Sequence, residues 1–338
     1  MMKVKIEEVR RLLVKSASRH VSEQEARYFS DCIVASHLSK SPRMLPIKEA
    51  ISDLKVWKKS SAEGVETIVD QAGVTILDFN GLAPSLKIRS IHDEIERKAR
   101  KNGIAAIGFR NSAGITTLNM WSTELSKRDM IAICMFNGGT ECCVPYGARQ
   151  GVLGTNPIAY VIPTATDPIV LDMATTEIPF FELKTAKEKN LPLKPNVALD
   201  QDGALTTDAN QALNDDGVAN LLPMGGGFKG YGIMMLIEIL TGPLVHSLLS
   251  TQQTPGWNPT EYGFLMIGID VGSFVDVSLF KQNVSKMCAK IRSLPPAEGF
   301  FGVQIPGDRG HANHKRCVAS GEMDIDETLL EALRGLAR

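Results

Sequence analysis

The sequence predicts a globular protein of mixed α/β class. Its 338 residues are 43% hydrophobic, which is enough for a sizeable buried core. Near both ends of the chain apolar residues recur at intervals of three and four, as on one face of a helix, whereas the middle contains short apolar runs typical of strands. We therefore expect helices at both ends and a sheet between them.

The first sixty residues predict three helices. Residues 6–15 and 23–36 carry apolar side chains at helical spacing, and Ser22 is a suitable N-cap for the second segment. Prolines interrupt residues 39–46, which indicates a loop, and the helical pattern resumes over residues 47–57.

Six apolar runs in the next part of the chain predict strands. The first two alternate in polarity as in a β-hairpin, and a charged helix that ends at Gly103 follows them. A short helical segment separates the third run from the fourth. The runs are VETIVD, GVTILDFN, IAAIGFRNS, MIAICMFNGG, AYVIPT and PIVLDMAT.

The C-terminal half begins with a polar stretch. Residues 177–220 are rich in Lys, Asn and Asp and predict an excursion at the surface. The segment LLPMGGGFKGYGIMMLIEIL then places glycines in front of an apolar helix. A strand, GFLMIGID, and two C-terminal helices complete the chain, and we expect the last helix to begin near Asp326.

Charge and cysteine content limit the partners and the compartment. Lys and Arg total 37 against 38 Asp and Glu, so a net charge of -1 offers no general attraction to nucleic acid or to an anionic membrane. The N-terminal segment lacks an apolar core of signal-peptide length, and the apolar helix at 231–240 is too short for a bilayer. Six cysteines without a CxxC pair are typical of reduced thiols, so we expect a cytoplasmic protein.

The glycine segment matches a phosphate-binding spacing in the wrong context. Gly225, Gly227 and Gly230 satisfy GxGxxG, but no strand precedes them and no strand with an acidic end follows about 20 residues later, as a Rossmann fold requires. Free amides at a helix start together with Lys229 still favour an anion site. A tight loop with an exposed lysine is the alternative.

A possible metal site is weaker. His311, His314 and Cys317 are spaced by three, but they follow a turn and lack a fourth ligand. We interpret them as surface residues and expect no metal.

Four strings carry a family resemblance: CCVPYGARQGVLGTNPIAYVIP (142–163), PIVLDMATT (168–176), LPMGGGFKGYG (222–232) and IPGDRG (305–310). In order and spacing they resemble the signature segments and the C-terminal cofactor loop of the malate/L-lactate dehydrogenase type 2 family, which has the sulfolactate dehydrogenase-like fold. The similarity is closest to members that reduce piperideine-2-carboxylate and pyrroline-2-carboxylate.

The resemblance implies a fold and an assembly. The fold is a three-layer α/β/α arrangement with a mostly antiparallel sheet, and it is not a Rossmann fold. Residues 1–70 with 288–338 would form a helical domain, and residues 71–287 an α/β domain that binds cofactor and substrate. The family also implies a homodimer and an extended NADPH or NADH.

The resemblance also assigns roles to individual residues. Arg43 would bind the substrate carboxylate, a task that suits a two-pronged guanidinium, with Thr155 and Asn156 beside it. Asp172 would be the acid that supports a catalytic histidine. The expected cofactor contacts are Thr116, Thr117, Leu118, Val170, Leu171, Asp172, Met173, Ala174, Phe228, Lys229, Gly307, Asp308 and Arg309.

The family's proton donor is missing. Members usually carry Ser-His-Gly before the arginine, whereas this chain has LSKSP. Lys40 and Ser41 are candidate substitutes, although a solvated lysine and a turn serine explain them equally well. His37 lies six residues before Arg43 and is better explained as a residue at a helix end.

This departure bears on the substrate. Reduction of a ketone creates an alkoxide that must be protonated, so loss of the acid costs about a hundredfold in rate. Hydride addition to a protonated cyclic imine gives a neutral amine and needs no further acid. We therefore expect an NAD(P)H-dependent imine reductase. The alternatives are a 2-hydroxy acid dehydrogenase of the malate or lactate type, and a catalytically weak paralogue that keeps the cofactor site.

Overall fold

The computed structural model describes residues 2–39, 46–59, 64–115, 117–139, 141–254 and 261–338. Eleven α-helices and nine β-strands lie in this part of the chain. The helices are α1 (Ile6–Ala17), α2 (Glu23–Ser39), α3 (Pro46–Lys59), α4 (Ile88–Asn102), α5 (Leu118–Ser126), α6 (Phe180–Glu188), α7 (Ala209–Ala212), α8 (Phe228–Thr241), α9 (Val277–Arg292), α10 (Asp308–Ser320) and α11 (Glu327–Ala337). The strands are β1 (Met2–Lys5), β2 (Glu66–Asp70), β3 (Val74–Asp78), β4 (Ile104–Ser112), β5 (Met130–Phe136), β6 (Ile158–Ile162), β7 (Ile169–Met173), β8 (Tyr262–Asp270) and β9 (Glu322–Ile325).

Seven strands form one sheet in the order β2-β3-β4-β8-β5-β6-β7. Only β3 and β4 pair in parallel, and every other neighbouring pair is antiparallel. The prediction of a mixed α/β protein with a mostly antiparallel sheet is confirmed, as are the β2–β3 hairpin and the short helix between β4 and β5. The layering and the non-Rossmann character stay predictions.

Alternation along the central strands sends side chains into two different cores. In β5, Cys134 and Phe136 belong to the large core shared with α4 and α5. Met135 between them packs with Ile237 of α8 and Leu265 of β8 in a second core. Successive side chains of a β-strand point to opposite faces of the sheet, so apolar helices can pack against both faces.

Local signals set the helix ends as the sequence predicts. The Ser22 hydroxyl accepts the backbone N–H of Glu25 at 3.3 Å at the start of α2. Gly103 ends α4 with a positive φ of 83°, a backbone conformation that favours glycine. Asp326 caps α11 by accepting the N–H of Thr328.

The two ends of the chain meet. β1 pairs antiparallel with β9, with Met2 opposite Ile325, and this small ribbon is absent from the sequence-based prediction because each strand has only four residues. Buried apolar residues of α1, α2 and α11 join the large core. The division into a 1–70 with 288–338 domain and a 71–287 domain stays a prediction.

Two expectations are corrected. Residues 177–220 are not merely a surface excursion, because apolar side chains scattered among the polar ones, including Leu183, Val197 and Leu213, form a core of their own. The C-terminal part contains three helices after β8, not two, because α9 also forms there.

The apolar segment at α8 is longer than the sequence pattern indicates. Phe228–Val245 has 18 residues with a mean hydropathy of 1.3, so by length and composition it is a candidate to cross a membrane. Its buried side chains, Met234 and Ile237 among them, make up 39% of the segment and pack inside the protein. The six cysteines are all described, and no disulfide joins any pair of them.

Candidate active site

A large cavity opens between α3, α5, β7 and the start of α10. Its volume is about 1630 Å³. It contains most of the positions that the family resemblance selects, although they come from distant parts of the chain. Those that line it are Thr117, Leu118, Thr155, Val170, Asp172, Met173, Ala174, Gly307 and Arg309.

Two carboxylates meet the first turn of α5 inside this cavity. Asp172, near the end of β7, accepts the backbone N–H of Asn119 through Oδ2 at 3.0 Å. Glu49 of α3 accepts the backbone N–H of Thr117 through Oε2 at 3.1 Å. Amides at a helix start have no partner within the helix and attract negative charge, so these hydrogen bonds hold both carboxylates in place.

A network of short polar side chains fixes the same helix start from the side of α2. The Ser36 hydroxyl lies 2.8 Å from the Thr117 hydroxyl and donates to Asn119 Oδ1 at 2.9 Å. All three residues are buried. The network therefore holds α5, and with it Asp172, in one position.

Thr155 and Asn156, the two predicted substrate contacts in the GTNP turn, differ in their position relative to the cavity. Thr155 lines it, and its carbonyl accepts the backbone N–H of Thr175 at 3.0 Å. Asn156 does not line it. Its side chain is buried beneath the turn and donates to Glu238 Oε2 at 2.6 Å. In this structure its side chain holds the turn, and its predicted role as a substrate contact stays a prediction.

The predicted cofactor loop at Gly307 approaches β7 closely. The Val170 N–H donates to the Pro306 carbonyl at 3.0 Å. Gly307 has a φ of 104°, and a Cβ there would lie 3.1 Å from the Val170 nitrogen. Only glycine gives this backbone both its conformation and an open cradle beside the strand, so the residues present fit an extended dinucleotide passing over them.

Four predicted cofactor contacts do not line the cavity. Leu171 lies within β7, and Asp308 instead accepts the backbone N–H of Ile305 and pairs with Arg292 at 2.6 Å, which lowers the pKa of Asp308. Phe228 and Lys229 are exposed at the start of α8, where Phe228 contacts the Tyr146 ring. Their contact with a cofactor stays a prediction.

Other predicted positions fall outside the described residues or are relocated. Lys40, Ser41, Arg43 and Thr116 lie outside the described residues. His37 does not line the cavity, because its Nε2 donates to the Asp324 carbonyl at 2.9 Å, as expected of a residue near a helix end.

The sequence indicated that the histidines of α10 are plain surface residues, and the structure corrects this interpretation. His311 and His314 both line the cavity and are partly buried. His311 Nε2 donates to the Pro168 carbonyl at 2.7 Å, and burial lowers the pKa of His314. The described residues contain no group of three or more His, Cys, Asp or Glu arranged to hold a metal.

Charge in the lining is biased toward carboxylates. Among the described residues, the permanent cations are Lys127 at the end of α5 and Arg309 at the start of α10. Sequence reasoning missed most of the acids, because an isolated Asp or Glu on a predicted helix is most simply a solvated side chain. The carboxylates are Glu49, Asp53, Glu124, Asp167, Asp172 and Glu177.

Known proteins are similar to this chain over nearly its whole length. A family model described as malate/L-lactate dehydrogenase matches residues 4–334. The chain belongs to the malate/L-lactate dehydrogenase family. As a member of that family it is an NAD(P)-dependent oxidoreductase.

Relatives of the malate/L-lactate dehydrogenase family differ in their named substrates. The chain is 32% identical over 338 residues to a malate/(S)-sulfolactate dehydrogenase of Methanothermus fervidus, covering 98% of this chain and 96% of the relative. It is also 32% identical over 288 residues to a Δ1-pyrroline-2-carboxylate/Δ1-piperideine-2-carboxylate reductase of Pseudomonas syringae pv. tomato, covering 83% and 79%.

Solved structures of the malate/L-lactate dehydrogenase family are similar over the whole chain. Sulfolactate dehydrogenase from Methanocaldococcus jannaschii superposes with a TM-score of 0.84 at 26% identity, covering 99% of this chain and 96% of the other. Δ1-piperideine-2-carboxylate reductase from Pseudomonas syringae pv. tomato gives 0.82 at 25% identity, covering 99% and 100%. The family is thus shown, and the substrate is a separate question.

Proposed function

We propose that the protein is an NAD(P)H-dependent reductase of cyclic imino acids, converting piperideine-2-carboxylate or pyrroline-2-carboxylate to pipecolate or proline. The observation that carries this proposal is the pair of carboxylates, Asp172 and Glu49, held at the start of α5. A protonated imine is cationic, and negative charge in a partly dry cavity attracts it.

Once the imine is protonated, the protein has to supply few groups for the reaction. The cofactor, when bound, supplies a hydride to the imine carbon, and the electron pair of the C=N bond goes to nitrogen to give a neutral amine. Asp172 orients the cationic nitrogen by charge. Because the nitrogen already carries its proton, no further proton donor is needed, which is consistent with the missing histidine.

Other residues position the reactants. The Gly307 cradle beside Val170 and the exposed Arg309 suit the pyrophosphate of an extended dinucleotide, because Arg309 is a permanent cation on the cavity lining. Apolar lining residues, Phe136, Met173 and Phe181, exclude water from the hydrocarbon part of a ring. Arg43 remains our candidate for the substrate carboxylate.

A side-by-side assay tests the proposal. NADH and NADPH oxidation is followed with pyrroline-2-carboxylate, piperideine-2-carboxylate, pyruvate and oxaloacetate on the same preparation. We expect kcat/KM to be highest with a cyclic imino acid. Ordinary turnover of the 2-oxo acids with no turnover of the imines would reject the assignment.

A 2-hydroxy acid dehydrogenase is the second candidate. It is favoured by the relative named malate/(S)-sulfolactate dehydrogenase, which covers 98% of this chain. Malate and sulfolactate each carry two anionic groups and need cations, whereas among the described lining residues the carboxylates outnumber Lys and Arg by six to two. It would also need a proton donor near residues 39–43. A catalytically weak paralogue would turn over none of the four substrates.

Exposed apolar side chains support the homodimer that the family resemblance implies. Ile233, Leu236 and Ile239 are 41 to 55% exposed on α8, and Phe300 and Phe301 are exposed after α9. Large apolar side chains exposed at intervals of three on one helix, as on α8, are typical of an interface.

We expect light scattering at micromolar concentration to give twice the monomer mass of 36.8 kDa. Leu236→Asp should shift the protein toward the monomer, because it places a charge on the apolar face of α8. Leu205→Asp, at a residue 60% exposed outside that face, is the matched control and should leave the mass unchanged. A wild-type mass of 36.8 kDa would count against the dimer.

A further inference from the structure

We propose that the cavity selects NADH over NADPH, and that Asp167 is the residue that makes this selection by accepting hydrogen bonds from the ribose hydroxyls at the adenosine end of the cofactor. The inference rests on the proposed placement of the dinucleotide along β7. It does not depend on which substrate is reduced.

The direction of the cofactor follows from the two ends of β7. The nicotinamide belongs beside Asp172, where the strand meets the start of α5 and Thr155. Asp167 precedes the same strand at its other end, about 16 Å away at 3.3 Å per residue. The Gly307 cradle lies between them, against Val170. An extended dinucleotide that starts at Asp172 therefore reaches Asp167 with its adenosine half.

Asp167 is presented to the cavity by a fixed loop. The Thr164 hydroxyl accepts the backbone N–H of Thr166 at 3.0 Å and donates to the Asp167 carbonyl at 2.8 Å. The carboxylate lines the cavity and is 39% exposed. One oxygen, Oδ2, takes Lys315 at 2.6 Å, and a carboxylate has acceptor sites beyond that single contact.

The cations near this end are already engaged. Lys127 is paired with Glu124 at 2.6 Å. The Nε2–H of His311 donates to the Pro168 carbonyl. Burial and the neighbouring Lys127 keep the pKa of His314 below its ordinary value, which disfavours the cationic imidazole. Lys315 is paired with Asp167 itself.

These contacts discriminate between the two cofactors. A ribose diol donates hydrogen bonds to a carboxylate, whereas the 2′-phosphate of NADPH is a dianion that the same carboxylate repels. The C-terminal end of α5, at Ser126, also lines the cavity, and the negative end of a helix disfavours an anion. Arg309, near Gly307, serves the pyrophosphate that both cofactors share.

The test measures cofactor binding without substrate. NADH and NADPH are titrated by fluorescence into the full chain, its Asp167→Ala variant and an Asp215→Ala control, whose carboxylate is exposed and pairs with Lys187 outside the cavity. We expect the wild-type protein to bind NADH about tenfold or more tightly than NADPH, the effect of one charge-assisted hydrogen bond. Asp167→Ala should bring the ratio of the two Kd values close to one, and the control should keep the wild-type ratio.

Two results would overturn the inference. One is a wild-type protein that binds NADPH as tightly as NADH or more tightly. The other is an Asp167→Ala variant with an unchanged ratio of the two Kd values and an unchanged melting temperature. The proposed function fails separately, because it is judged by turnover of imines with whichever cofactor binds. A protein that prefers NADH but reduces only 2-oxo acids would keep this inference and remove the other.

Discussion

Asp172→Asn is expected to lower kcat/KM for a cyclic imino acid by about ten- to a hundredfold, the value of one charge-assisted contact. The substitution removes the negative charge that attracts the iminium. It keeps an oxygen that can accept the Asn119 N–H, so the start of α5 should stay in place. The loss should therefore appear in catalysis and not in folding.

Two controls separate charge from structure. Cofactor titration of Asp172→Asn should show a much smaller change in Kd than in kcat/KM, because the other expected cofactor contacts, Gly307 and Arg309 among them, are untouched. Asp215→Asn makes the same chemical change at an exposed position and should leave kcat/KM unaltered. Full activity of Asp172→Asn with the imine would show that the countercharge lies elsewhere.

Replacement of Glu238 by alanine should destabilise the protein by about 2 to 5 kcal/mol, because each buried donor left without a partner costs about 1 to 3 kcal/mol. Glu238 is buried on α8 and accepts the Ser250 backbone N–H and the Asn156 side chain. Asn156 holds the GTNP turn, and the Ser250 hydroxyl accepts the Gly154 N–H at 3.1 Å. Urea unfolding followed by fluorescence of the buried Trp121 measures the change.

Glu238→Gln is the matched variant and should lose much less stability. Asn156 Oδ1 is buried and has no hydrogen-bond partner in the structure. A flip of the Asn156 amide would turn this oxygen toward the new glutamine NH₂ and restore a hydrogen bond. If the glutamine and alanine variants unfold at the same urea concentration, the buried hydrogen bonds are not what stabilises the turn.

Local patterns in the sequence were sufficient for most elements of the fold. Helical spacing and Ser22 located α1 to α3, and alternating apolar runs located β2 to β8. The β1–β9 ribbon was missed because four residues are too few to show a period. The core of residues 177–220 was missed because its two helices, α6 and α7, are short and its remaining apolar residues lie outside regular elements.

The site was predictable only where a long motif carried it. Asp172 and Gly307 came from family strings, and both line the cavity. Glu49 was missed, because its meeting with Thr117 is a tertiary contact that no local pattern encodes. At the GxGxxG segment the alternative reading has support: a Cβ on Gly230 would lie 2.0 Å from the Met224 carbonyl oxygen, so this glycine permits close packing, and Lys229 is exposed.

The place of β8 at the centre of the sheet affects how the chain is made. β4 and β5 are synthesised early, but each pairs with β8, which emerges from the ribosome only after more than a hundred further residues. At ordinary rates of translation this delay is on the order of ten seconds. Throughout it two apolar strand edges stay open, and open edges promote aggregation. A ribosome that stalls before Tyr262 would therefore release a chain that needs a chaperone.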